Sequence, residues 1–154
     1  MLKYAILLAI FVLSQFGFAQ DTTNIMQLVR DDIQLQKKAI IAENLQMSDA
    51  QAKEFWKIYN EYQYKLSKIG DKVVDNIEDF ANNYENLTDD KAEEILDLSF
   101  DINEEKLELL KEYTKEITDK IDIKLAARFY QIERLLTTII DLQVMSQIPL
   151  VEHK

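Results

Sequence analysis

The chain has 154 residues, and its 28 acidic against 18 basic side chains give a net charge of −10. That charge repels nucleic acid and anionic lipid, and the lack of cysteine excludes disulfides, thiolate metal sites and cysteine nucleophiles. Two glycines and one proline leave too little turn chemistry for a β fold, so the composition predicts an all-α protein.

Residues 1–19 read as a leader. Met1-Leu2-Lys3-Tyr4 makes a short cationic start, Ala5 to Leu13 an apolar run, and Gly17-Phe18-Ala19 a small-x-small exit. This is the pattern of a secretory signal peptide cleaved after Ala19, so the mature chain is expected to begin at Gln20. The apolar run falls short of the about 20 residues that span a membrane, and no anchor is expected. Residues 20–154 are expected to form a single helical domain with flexible ends, stabilised by packing alone.

A first helix is predicted over Asn24–Glu43, with Ile25, Val29, Ile33 and Ile40 on one face and Arg30, Asp31, Asp32, Lys37 and Lys38 on the polar side. A second starts after Ser48. Its apolar positions, Phe55, Tyr59, Tyr62, Leu66, Ile69, Val73, Ile77, Phe80 and Tyr84, recur by threes and fours near a seven-residue repeat. Gly70 permits a bend within it. The turn is predicted at Asn82-Asn83-Tyr84-Glu85-Asn86, because Asn tolerates the left-handed backbone that ends helices. A third helix follows Thr88, with Leu96, Phe100, Leu107, Leu110, Ile117 and Ile121 in register. A fourth segment carries Leu125, Phe129, Ile132, Leu136 and Ile139 or Ile140. A break between the last two falls near Asp119 to Ile123, although the apolar period runs through it. Pro149 ends regular structure and leaves Ile148-Pro149-Leu150-Val151 as an apolar tail.

Two of these helices open on similar signatures, Met47-Ser48-Asp49-Ala50-Gln51-Ala52 and Leu87-Thr88-Asp89-Asp90-Lys91-Ala92. In each, a hydroxyl at the N-cap can accept from the free N–H groups of the first turn, and the acids that follow suit the positive end of the helix dipole. Ser48 with Gln51 completes a capping box, whereas Lys91 offers no acceptor and leaves the second box half made.

These motifs resemble the LTxxQ repeat of the Spy/CpxP family of periplasmic stress proteins. Met47-Ser48-Asp49-Ala50-Gln51 has conservative changes at its first two positions, and Leu87-Thr88-Asp89-Asp90-Lys91 departs at its last. Ala127-Arg128-Phe129-Tyr130-Gln131-Ile132-Glu133 also looks like the final helix of many Spy-like proteins, so the resemblance runs from about Lys37 to Val151. It implies a four-helix antiparallel hairpin or cradle that pairs into a homodimer. It also implies a role in the periplasm, either holding unfolded envelope proteins without ATP or modulating an envelope-stress sensor or anti-sigma partner. The family's namesake chaperone presents a basic concave surface, whereas this chain is acidic.

Catalysis finds no support in the residues. The single histidine, His153, lies next to the chain end, where an untethered side chain is a poor base or ligand. A di-metal helix bundle needs histidines beside inward-facing Glu pairs. Here pairs such as Glu105 and Glu108 lie off the apolar stripe, so no metal or other cofactor is expected. Asn86-Leu87-Thr88 fits a glycosylation pattern, but its Thr is better used as a cap. Trp56 flanks the stripe and is expected to be partly buried. Tyr64 lies opposite the stripe in a row with Lys53, Lys57 and Lys68, which makes this row the candidate surface for a client or partner. A hairpin this long also leaves Tyr59, Leu66, Ile77 and Phe80 in need of cover, which a second copy is expected to supply.

Overall fold

The computed structural model describes residues 35–151, and these hold four helices and no strand. Helix α1 covers 35–44, α2 Asp49–Asn83, α3 Asp89–Lys120 and α4 Ile123–Met145. The leader, the predicted start at Gln20, the first part of the first predicted helix and His153 all lie outside the described residues. No helix among those described is long and apolar enough to cross a membrane. The chain divides into two compact units, Met1–Glu43 and Asn44–Lys154. Within the first, Lys37 is buried rather than part of a solvated face.

In the second unit, α2 is continuous over 35 residues, about 52 Å at 1.5 Å per residue. Gly70 does not break it. Among the described residues no φ is positive, and a Cβ at Gly70 would meet nothing within 4 Å. The helix ends without left-handed asparagine: Asn83 has φ −105° and leads into a 3₁₀ turn, Tyr84–Asn86. Its side-chain amide donates to the Asp79 carbonyl, one turn back, at 2.8 Å.

Helix α3 returns antiparallel along α2. Lys72 pairs with Glu105 at 2.6 Å and Lys65 with Glu112 at 3.3 Å. The buried Asn76 amide donates to the Ile95 carbonyl at 3.2 Å and to the Ser99 hydroxyl at 2.9 Å. The predicted break is real. Ile121 leaves helical geometry at φ −126° and ψ −84°, and Asp122 caps α4, its carboxylate accepting from the N–H groups of Lys124 and Leu125 at 2.8 and 2.9 Å. Helix α4 then folds back along α3, where Lys106 meets Asp141 at 3.4 Å. The tail reaches the far turn, and the Tyr84 hydroxyl donates to the Leu150 carbonyl at 3.3 Å.

The core is aromatic. Phe129 of α4 sits among Phe55, Tyr59 and Tyr62 of α2, with ring centroids 5.9, 6.2 and 5.6 Å apart in edge-to-face arrangements. Tyr113 of α3 closes the cluster against Tyr62 at 5.5 Å. Along α2 the predicted stripe is buried at Phe55, Tyr59, Tyr62, Ile69 and Phe80 but only half-buried at Leu66, Val73 and Ile77. Tyr59 and Phe80 are therefore covered by their own chain and need no second copy.

On α3 the predicted register needs correcting. Leu110 and Ile117 are buried, but their companions in the core are Ile102, Leu109 and Tyr113. Leu96, Phe100 and Leu107 stand 53%, 63% and 49% exposed on another face. On α4, Leu125 and Phe129 are buried, and Ile140 rather than Ile139 turns inward.

Candidate functional site

Both signature hydroxyls act as caps. Ser48 Oγ accepts from the Gln51 N–H at 3.3 Å, and Gln51 Oε1 accepts from the Ser48 N–H at 3.0 Å, which closes the capping box. Thr88 Oγ1 accepts from the Lys91 N–H at 3.3 Å. Met47 and Leu87, which precede the caps, are half-buried. The last motif residue also reaches beyond its own helix. Gln51 Nε2 donates to the Asp122 carboxylate at 3.2 Å, so the start of α2 is tied to the cap of α4. Lys91, which cannot close a box, bridges Glu94 at 2.7 Å and Asp79 of α2 at 2.9 Å, and these bonds raise its pKa.

This geometry makes Ser48 and Thr88 structural hydroxyls. Thr88→Ala is expected to cost about 1 kcal/mol of stability and Thr88→Asp to restore most of it. Thermal melts decide the matter. If the Asp variant melts with the Ala variant, the hydroxyl is not the cap.

Lys53, Lys57, Tyr64 and Lys68 lie on the outer side of α2, all exposed. The row is partly answered from within the chain. Lys57 pairs with Glu54 at 3.2 Å, and Lys68 sits 3.9 Å from Asp71 and 5.7 Å above the Tyr64 ring. Such exposed pairs are worth little energy, but they lower the local positive field. Between α2 and α3 an open groove of about 440 Å³ is lined by Lys65, Ile69, Glu105, Glu108, Leu109 and Glu112.

Sequence reasoning missed the most unusual group. Glu133 is fully buried, and its two carboxylate oxygens accept from the Tyr59 and Tyr62 hydroxyls at 3.3 Å each. Burial, then the charge of Glu133, then these hydrogen bonds push both phenol pKa values well above 10.0. A signal was present, because Glu133 falls four residues after Phe129 and three before Leu136, on the apolar face of α4. Tyr59, Tyr62 and Glu133 are all buried. Among the described residues, no group of three or more His, Cys, Asp or Glu is placed to hold a metal ion.

The remaining feature is apolar surface. Besides the α3 row, α4 presents Leu135, Ile139 and Leu142, which are 61%, 40% and 70% exposed. Compared with protein-family models, curated proteins and solved structures, the chain matches none of them.

Proposed function

We propose that this chain is an exported, periplasmic Spy-like protein that holds unfolded envelope proteins without ATP and acts by surface contact rather than chemistry. The exposed apolar row of α3 carries this reading: large side chains kept in water on a well-packed helical frame are what a holding surface needs. The row of Lys53, Lys57, Tyr64 and Lys68 supplies a second, weaker contact, which fades with salt. Suppression of aggregation tests the reading with several unrelated unfolded proteins. Protection of most of them supports a holding chaperone. Protection of none assigns the protein to the other role, a modulator that docks on one sensor.

The working unit in this proposal is a homodimer. Since Tyr59 and Phe80 are covered within the chain, the surface that pairs is the α4 row of Leu135, Ile139 and Leu142, which a two-fold axis can set against its own copy. Leu135→Asp with Leu142→Asp is expected to give a monomer of unchanged helicity by light scattering and circular dichroism. A double variant that remains dimeric would move the interface elsewhere.

A further inference from the structure

Helix α3 carries two apolar rows, and the fold buries one. Opposite treatment falls on the acids around them. On the side toward α2, Glu94, Glu105 and Glu112 each meet a lysine, at 2.7, 2.6 and 3.3 Å. Beside the exposed row of Leu96, Phe100 and Leu107 runs another acidic row, Glu93, Asp97, Asp101, Glu104 and Glu108. Its steps of four, four, three and four keep it on one side of the helix, and every member is exposed. Glu108 is held by Lys111 at 2.8 Å. The other four form no ion pair among the described residues.

We infer that this face of α3 docks a cationic amphipathic helix from a partner or client protein. Leu96, Phe100 and Leu107 are spaced as helix-groove anchors and run about 16 Å along the axis, the length of three helical turns. A guest helix of that length sets its own apolar residues on this row and its Lys or Arg against the open carboxylates. A second copy of the same face would bring acid against acid, and anionic lipid and nucleic acid are repelled by the same field. The inference rests on the reading that the protein works by surface contact, and it adds the chemistry of what is held.

The test uses the whole exported protein and a fluorescent Leu/Lys peptide about 16 residues long, about 24 Å as a helix and so long enough to cover the row, patterned to be amphipathic. A Leu/Glu peptide of the same pattern is the control. Fluorescence anisotropy is expected to show binding of the Leu/Lys peptide alone, weakened about tenfold or more at high salt. Phe100→Gln with Leu107→Gln should lower affinity about tenfold or more. Asp97→Asn with Glu104→Gln should lower it less and flatten the salt dependence. Circular dichroism checks that both variants keep their helicity. Equal binding of the two peptides, or affinity unmoved by Phe100→Gln with Leu107→Gln, overturns the inference. So does a dimer that dissociates on Phe100→Gln with Leu107→Gln, because a second copy then covers the row. Failure here is separable from failure of the chaperone reading. Client protection without peptide binding keeps that reading and removes this face; peptide binding without protection does the reverse.

Discussion

Phe129→Ala is expected to destabilise the protein by about 3–5 kcal/mol, a large part of the total stability of a small domain. Phe129 is fully buried and touches three rings of α2 from the side of α4. Its removal takes away transfer free energy and leaves a cavity that stiff aromatic neighbours fill poorly. It also loosens the segment that carries Glu133, one helical turn further on. Phe129→Leu keeps most of the volume and should recover more than half of the loss. Urea unfolding provides the measurement. A cost under about 1 kcal/mol for the Ala variant would show that α4 is not anchored by this cluster.

The second large effect belongs to the tyrosines. Tyr59→Phe with Tyr62→Phe keeps both rings but removes two hydroxyl donors from a carboxylate that is fully buried. A cost of about 2–4 kcal/mol at neutral pH is expected, because a buried charge that loses donors is not resolvated. The same pair is expected to add to the loss of stability in alkali. Both phenols hold their protons in the folded state well above the ordinary value of 10.0. Their contribution is therefore complete below pH 10 and falls as pH rises further, when the unfolded chain releases protons that the fold retains. Each should add a slope of about −1.4 kcal/mol per pH unit in that range. The double variant is thus weaker at neutral pH yet loses stability less steeply in alkali. Parallel slopes for the two proteins would show that these hydroxyls do not govern alkaline unfolding.

Much of this fold is legible in the residues because helix starts are local chemistry. Ser48, Gln51 and Thr88 announce their roles within a single turn. Which face of a helix turns inward is not local. On α3, Leu96, Phe100 and Leu107 repeat as well as Ile102, Leu109 and Tyr113 do, and only packing against α2 and α4 chooses between them. Three of the six positions that periodicity assigned to the core, Leu96, Phe100 and Leu107, stay exposed. Asp122 was overlooked as a cap because the apolar period continues on both sides of it. Glu133 and Asn76 share a cause. Each is a polar residue at an apolar position of its stripe, and its meaning depends on donors or acceptors far along the chain. The Lys53 to Lys68 row was visible as composition, but its pairing with Glu54 and Asp71 depends on rotamers that spacing does not fix.

Gln51 uses both ends of one amide, the oxygen on the first turn of α2 and the nitrogen on Asp122. A helix start ordinarily frays by itself. Here, releasing the first turn of α2 also removes a hydrogen bond from the Asp122 carboxylate, whose other oxygen caps α4, so two ends 71 residues apart are expected to open together. The Ala52 and Ala126 N–H groups, each bonded back to its own cap carbonyl at 2.8 and 3.1 Å, should exchange with solvent deuterium at matched free energies. Gln51→Ala should uncouple them.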